Sequence, residues 1–168
     1  MIKIFMTSLM TVLMLLGNGC SGSGAEEEDA GADSTSYAVR RVELPGTLLS
    51  PTGDTVTVGP DTAVVLYYWL PLDMYGEMER DLLFLASLDS TVIPLPIQPD
   101  HETRNHAQRV VNNLGISLTV YLADSSIMDM IDSTILPYTL LLFPGENPVA
   151  GTGFGSPARL LAPYIREE

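Results

Sequence analysis

The stretch that decides the fold reads Ala63-Val64-Val65-Leu66-Tyr67-Tyr68-Trp69-Leu70-Pro71-Leu72-Asp73-Met74-Tyr75-Gly76-Glu77-Met78. Its first seven residues are apolar, and most of them are β-branched or aromatic. Such a run is typical of a strand that is buried on both faces of a sheet. The residues that follow contain a proline and then take up helical spacing. The stretch therefore predicts a buried strand that passes through a tight turn into a helix.

The segment after the turn predicts an amphipathic helix packed on the sheet. Apolar residues recur at helical spacing and charged residues fill the opposite face. The inward set is Met74, Met78, Leu82, Leu85 and Leu88, and the outward set is Glu77, Glu79, Arg80 and Asp81.

The next apolar run, residues 91–97, predicts a strand with prolines at two alternate positions, Pro94 and Pro96. Proline has no backbone N–H, and N–H groups two residues apart point to the same side of a strand. Donors are therefore missing from one edge only, and we expect that flank of the strand to be weakly paired or unpaired.

The remaining elements follow the chain in a regular order. Upstream of the central strand, residues 37–49 and 55–58 flank a Pro/Gly turn and predict a β-hairpin. Downstream, Asp100 and Gly115 are the expected N-cap and stop of a second helix. Later segments predict a strand (116–122), a short helix (124–133), a hairpin (138–143 and 149–154) and a last helix with Ser156 as N-cap and Pro157 at its first position. The sum is an α/β fold, a mixed sheet with helices on both faces.

Composition excludes several classes of function. The chain has 168 residues, 8 basic and 21 acidic side chains and a net charge of -13, which disfavours a nucleic-acid partner. Cys20 is the one cysteine, so neither an intramolecular disulfide nor a thiolate metal cluster is expected. His101 and His106 lack the i, i+4 spacing of a helical zinc pair. We predict no metal and no cofactor.

The first residues predict a secreted, membrane-anchored protein. Residues 1–19 carry one early positive charge and then an apolar run of signal-peptide length. Cys20 follows directly and resembles the acylated cysteine of bacterial lipoproteins, although Leu16 lies one place further back than in the usual lipobox. An ordinary secretory signal remains the alternative. We expect the cell envelope of a bacterium, with a lipid anchor and the domain facing the periplasm or the cell surface.

Residues 20–36 are small and acidic with no apolar anchor, which predicts a flexible tether. The acidic run also resembles surface-export signals of some lipoproteins, and a solvated spacer explains it equally well. The expected organisation is a signal peptide (1–19), a lipidated Cys20 with an acidic tether (20–36), and one folded domain (37–168).

The folded part resembles the thioredoxin fold, and more narrowly the membrane-anchored redoxins of the TlpA-like type. Two pieces carry the resemblance: Val64 to Met78, with Trp69 at the end of the strand, and Ile135 to Phe143, with Pro137 where the family has a cis-proline. The family carries Trp-x-x-x-Cys-x-x-Cys at the strand-to-helix turn. Here Asp73 and Gly76 occupy the two cysteine positions, so the motif is degenerate and thiol-disulfide exchange is excluded.

Asp73 has a structural interpretation as well as a chemical one. A carboxylate at a helix N-terminus accepts free backbone N–H groups and complements the helix dipole, as an N-cap does. The alternative is an ionised Asp73 that acts as a base.

The resemblance also implies an apolar rim that holds a peptide in active relatives. Ordinary apolar surface residues around a loop are the alternative. The expected binding residues are Trp69, Leu72, Asp73, Met74, Tyr75, Leu136 and Pro137. We therefore expect a non-catalytic module that binds an envelope protein or peptide. The alternatives are a redoxin-type envelope enzyme that uses non-thiol chemistry, and a structural component of an envelope assembly.

Overall fold

A computed structural model describes residues 42–72 and 76–165 of the chain. The predicted signal peptide, Cys20 and the acidic tether lie outside these residues. Within the two ranges, no helix is both long enough and apolar enough to cross a bilayer. The elements are β1 (Leu48–Leu49), β2 (Ala63–Tyr68), α1 (Gly76–Ala86), β3 (Val92–Gln98), α2 (His101–Asn113), β4 (Tyr121–Ala123), α3 (Ser125–Met128), β5 (Tyr138–Leu142), β6 (Val149–Thr152) and α4 (Ser156–Leu161).

The strands form one mixed six-stranded sheet in the order β1-β4-β3-β2-β5-β6. β2 pairs in parallel with β3 and β3 with β4, whereas the β2–β5, β5–β6 and β1–β4 pairs are antiparallel. All six residues of β2 are buried, because the strand has a neighbour on each side and a packed layer on each face. The predicted α/β class and mixed sheet are confirmed.

Helices cover both faces of the sheet, as predicted. Val65 and Tyr67 of β2 share one core cluster with residues of three helices: Leu82 of α1, Val111 of α2 and Leu161 of α4. Val64 and Leu66 point to the opposite face and share the second cluster with Ile127 of α3. The alternation of side chains along β2 divides the core in this way.

The flank of β3 toward β4 is weakly paired, as the prolines predict. β3 pairs with β2 from Val92 to Ile97, but with β4 only at Ile97 and Gln98. Full pairing on that side begins only after Pro96, the second of the two residues that cannot donate an N–H.

The N-terminal hairpin is shorter than predicted. Its turn is present, because Gly53 N–H donates to the Ser50 carbonyl and Ser50 N–H donates to the Asp54 carbonyl. The two arms meet at the Leu49–Thr55 bridge and through the Val56 N–H, which donates to Leu48. Only Leu48 and Leu49 form a regular strand, and they also pair with β4 at the edge of the sheet.

Helix starts agree with the sequence at α2 and differ at α4. Asp100 caps α2 by accepting the N–H groups of Glu102 and Thr103, as predicted. The N-cap of α4 is Gly155 and not Ser156. Ser156 is fully buried, and its hydroxyl is 2.6 Å from that of Thr139 on β5. That hydroxyl therefore bonds across to the sheet and leaves its own helix without a side-chain cap.

Candidate functional site

Three chain segments meet at one end of the central strands. Tyr68, the last residue of β2, pairs with Tyr138, the first residue of β5, so the residues after β2 lie beside those before β5. Tyr138 also pairs with Thr152 of β6. The next residue, Gly153, donates its N–H to the Pro137 carbonyl at 2.8 Å. The register of the sheet thus brings together segments that lie far apart in the sequence.

At this meeting point lies a depression of about 210 Å³, which we call the apolar groove. Three of its side chains are strongly exposed: Leu72 at 62%, Leu70 at 49% and Phe154 at 45%. The peptide bond between Leu136 and Pro137 is cis, as the family resemblance implies. The groove is lined by Trp69, Leu70, Leu72, Met78, Leu136, Pro137 and Phe154.

The groove unites four of the seven predicted binding residues: Trp69, Leu72, Leu136 and Pro137. The other three, Asp73, Met74 and Tyr75, lie outside the described residues. Gly76, at the second degenerate motif position, is the exposed first residue of α1.

Phe154 belongs to the groove and was not predicted as a site residue. It follows the last strand of the sheet and reaches the groove because Gly153 is bonded to Pro137. No local pattern around Phe154 signals this contact, since it depends on strand pairing across the sheet.

Trp69 forms the buried floor of the groove. It is 1% exposed, and its ring stacks on Tyr67 with centroids 5.5 Å apart and planes inclined by 24°. The buried Gln98 side chain of β3 donates to the Trp69 carbonyl at 2.8 Å, which continues the hydrogen bonding of the sheet past the end of β2. Trp69 Nε1 has no hydrogen-bond partner among the described residues, and within that part of the chain the ring is held by packing.

The prediction that Asp81 lies on the outward face of α1 is wrong. The sequence places it on the polar side of α1, yet it is only 4% exposed. Its carboxylate accepts the Tyr67 hydroxyl at 3.0 Å and the Gly155 N–H at 2.9 and 3.1 Å. The signal was available, because Asp81 follows Met78 by three positions and so borders the apolar stripe of the helix.

The surroundings of Asp81 have opposing effects on its ionisation. Burial raises the pKa of the Asp81 carboxyl above its ordinary value. Hydrogen bonds from Tyr67 and Gly155 and the charge of Arg159 act against this rise, whereas Glu77 adds to it. Burial, together with the charge and the hydrogen bond of Asp81, raises the pKa of Tyr67 far above its usual range. Tyr67 is therefore a neutral hydroxyl donor at ordinary pH.

Because the pKa of Asp81 is raised in the folded protein, its contribution to the free energy of unfolding falls as pH rises. A carboxyl with a raised folded-state pKa contributes stability below its unfolded pKa and loses that contribution as pH rises through the folded pKa. As pH rises from acid to neutral, we expect the stability of Asp81→Asn to increase relative to that of the wild type. Urea unfolding at several pH values across that range measures the difference.

Asp132→Asn is the matched control for this pH series. Hydrogen bonds from the hydroxyl and N–H of Thr134 lower the pKa of Asp132, so that aspartate adds stability at higher pH and loses it as pH falls. The difference between Asp132→Asn and the wild type should change in the opposite direction with pH. The same trend in both variants would contradict the role assigned to burial.

A larger depression of about 580 Å³ lies at the other end of the sheet, beside Asp89, Thr91 and Tyr164. Two of its polar side chains bond to each other, because Asp89 accepts both the N–H and the hydroxyl of Thr91. The apolar groove is the better candidate site, because three strongly exposed apolar side chains, Leu70, Leu72 and Phe154, converge there.

The described lining of the groove is apolar throughout. Its described lining contains no acid, base or nucleophile. Across residues 42–72 and 76–165, no three His, Cys, Asp or Glu side chains are grouped to hold a metal ion. His101 is exposed and His106 is half-buried, both on α2. The described part of the site can therefore bind an apolar segment by burial.

Comparison with known proteins identifies the arrangement of the backbone. No family model and no curated protein sequence matches the chain. Among solved structures, it is similar to the thioredoxin domain of a thiol-disulfide oxidoreductase from Bacteroides vulgatus, with a TM-score of 0.54, 13% identity, and coverage of 78% of this chain and 100% of that one. A thiol-disulfide oxidoreductase from Bacteroides fragilis gives a TM-score of 0.53 at 13% identity, over 74% of this chain and 99% of the other. The C-terminal domain of a putative thiol-disulfide oxidoreductase from Bacteroides thetaiotaomicron gives 0.53 at 8% identity, over 74% and 94%.

Proposed function

We propose that this protein, whose described part has the thioredoxin-like fold, is a non-catalytic binding module of the bacterial cell envelope that holds an apolar peptide segment of a partner protein in the apolar groove. The observation that carries the proposal is the concentration of exposed apolar side chains at this place. Eight large hydrophobic residues are strongly exposed in the described part. Leu70, Leu72 and Phe154 line the groove, and Ile135 precedes its Leu136. An exposed apolar patch of this kind marks an interaction site in soluble proteins.

The size of the groove favours a peptide over an enclosed small molecule. Its volume of about 210 Å³ lies below the roughly 300–1,000 Å³ of pockets that enclose drug-sized ligands. An open groove of that size suits one or two apolar side chains of a chain lying across it.

The charge of the protein favours one kind of segment. With a net charge of -13, the chain repels acidic partners and attracts basic ones. The preferred occupant is therefore an apolar anchor flanked by neutral or basic residues, and a nucleic acid is disfavoured.

The absence of a thiol supports a non-catalytic role. Disulfide exchange needs a thiolate that attacks a disulfide sulfur, and the one cysteine in the sequence, Cys20, is not among the described residues that line the groove. The purified protein is expected to show no turnover in an insulin-reduction assay. Measurable turnover would contradict both the binding module and a purely structural role in an envelope assembly.

The lipid anchor belongs to the same proposal and rests on the position of Cys20 after the apolar leader. Labelled fatty acid should be incorporated by the wild-type protein and not by Cys20→Ala. Equal labelling of both proteins would contradict acylation at Cys20 and leave the ordinary secretory signal as the better explanation.

Site-specific crosslinking tests the binding role itself. A photoreactive amino acid at position 72 should trap one defined partner in intact cells, whereas the same group at position 83 should not. Leu83 is a suitable control because it is 49% exposed and lies on α1 outside the groove. The trapped segment is then identified, synthesised and titrated into the purified protein. Equal crosslinking from both positions, or no binding by the synthetic segment, would contradict the proposal.

A further inference from the structure

The buried Asp81 carboxylate joins three elements that are far apart in the sequence. It stands on α1, accepts the hydroxyl of Tyr67 from β2, and accepts the N–H of Gly155 from the turn between β6 and α4. Because buried carboxylates are stable only when hydrogen bonds or charges compensate for lost hydration, these two donors define where the group can sit.

Gly155 depends on Asp81 for its partner. It is the N-cap of α4 and adopts a left-handed conformation with φ of 74°, which glycine tolerates best. No side-chain hydrogen bond caps α4, and the N–H of its N-cap residue Gly155 is accepted by the carboxylate of another helix. A helix N-terminus is stabilised by a negative charge placed in this way.

The residue before Gly155 is Phe154, a wall of the apolar groove. Phe154 also borders a second small cavity of about 220 Å³, whose other lining residues are Glu77, Arg80, Asp81 and Gly155. The backbone that Asp81 holds is therefore the backbone that carries one exposed side of the groove.

We propose that Asp81 is a proton-dependent positioning residue of the apolar groove: its ionised carboxylate holds Gly155 and keeps Phe154 in place, and protonation loosens this hold. An ionised carboxylate offers two acceptor oxygens to the two donors that face it. Once protonated, one oxygen carries a hydrogen, and this hydrogen repels the Gly155 N–H that spans both oxygens. The turn that carries Phe154 then keeps the hydrogen bonds from Arg159 to the Phe154 and Thr152 carbonyls, but its connection to α1 weakens.

Among the charged and titratable groups around this cavity, Asp81 is the one that accepts the Gly155 N–H. Glu77 and Arg80 lie on its own helix, Arg159 on α4 and Tyr67 on β2. Arginine stays charged at all relevant pH values, and the Tyr67 hydroxyl stays neutral for the reason given above. The raised pKa of Asp81 brings its protonation closer to neutral pH than that of an exposed aspartate.

Two spectroscopic signals report on the hydrogen bond between Gly155 and Asp81 in the absence of a bound peptide. Trp69 is the one tryptophan of the chain, lines the groove and stacks on Tyr67, so its fluorescence reports the groove directly. The Gly155 amide resonance in a ¹⁵N-labelled sample reports the hydrogen bond. As pH falls, both should shift together in the wild type, with a single midpoint above that of an ordinary aspartate.

Three variants of the full chain test the assignment. In Asp81→Asn the Gly155 resonance should stay near its low-pH position, and both shifts should lose their pH dependence. Asp89→Asn, which changes an exposed aspartate at the other end of the sheet, should titrate as the wild type does. Tyr67→Phe removes a hydrogen bond that favours the ionised form, so its midpoint should rise by roughly one pH unit.

The outcomes separate this inference from the proposed binding role. A Gly155 amide that does not shift in the wild type overturns the inference, as does a shift that persists in Asp81→Asn. If Asp81→Asn does not fold, the inference is tested by Tyr67→Phe instead, and an unchanged midpoint in that variant overturns it. A pH-dependent affinity for a partner rests on the proposed function, but these signals need no ligand. Failure of the groove to bind a peptide therefore leaves the titration result standing.

Discussion

Replacing Trp69 with alanine is expected to lower the free energy of unfolding by about 3–5 kcal/mol, the range for truncating a large buried aromatic side chain. Trp69 is 1% exposed, stacks on Tyr67 and packs with residues of α1 and α2 in the larger core cluster. Its removal leaves a cavity at the point where β2 and α1 face the groove. Urea unfolding followed by circular dichroism measures the loss, since the variant has no tryptophan fluorescence.

Trp69→Phe is the control for size and aromatic character. Trp69 Nε1 has no hydrogen-bond partner among the described residues, so phenylalanine forfeits no side-chain hydrogen bond in that part of the structure and keeps the stacking on Tyr67. Its destabilisation should be clearly smaller than that of alanine. Equal losses in the two variants, or a loss under about 1 kcal/mol for Trp69→Ala, would contradict a packed role for the ring.

Leu72→Asp is expected to weaken binding of the segment trapped at position 72 by roughly thirty-fold, which corresponds to about 2 kcal/mol and to a hot-spot contact. Leu72 is the most exposed apolar side chain of the groove, at 62%. An aspartate there removes apolar contact area and places a charge where the partner buries an apolar anchor. Titration calorimetry with the synthetic segment measures the change.

Leu83→Asp provides the matched control for added charge, because it introduces the same group at an exposed leucine outside the groove. Both variants should unfold within about 0.5 kcal/mol of the wild type, as expected for exposed positions. Undiminished binding by Leu72→Asp would rule out the groove as the docking surface. Equal loss in both variants would attribute the effect to net charge instead.

Local pattern predicted the order of the elements because each one carries its own signal, but the strand predicted over 116–122 and the helix predicted over 124–133 are shorter in the structure, Tyr121–Ala123 and Ser125–Met128. The apolar run before Trp69 gave β2, and Asp100 and Gly115 marked the ends of α2. Predictions were less accurate where tertiary contacts decide the outcome. Ser156 has the residue type of an N-cap, but its burial beside Thr139 gives its hydroxyl a different partner.

The candidate site was predicted in part. Trp69, Leu72, Leu136 and Pro137 were expected there from the family resemblance and do line one groove. Phe154 was missed because its position depends on the pairing of β5 with β6. Asp81 was predicted to face solvent because charged residues are mostly exposed. Its hydrogen-bond partners could not be predicted, because Tyr67 and Gly155 lie 14 and 74 positions away.

The sequence by itself determined the order of strands and helices before and after the stretch 63–78. It also showed that no cysteine follows Cys20. These are properties of composition and of spacing along the chain. Only the tertiary structure decided which groups the Asp81 carboxylate meets, namely the Tyr67 hydroxyl and the N–H of Gly155 before α4, and that Phe154 forms a wall of the groove. The physical reason is that hydrophobic periodicity specifies which face of an element turns inward, whereas the partner it meets there depends on strand register between distant segments.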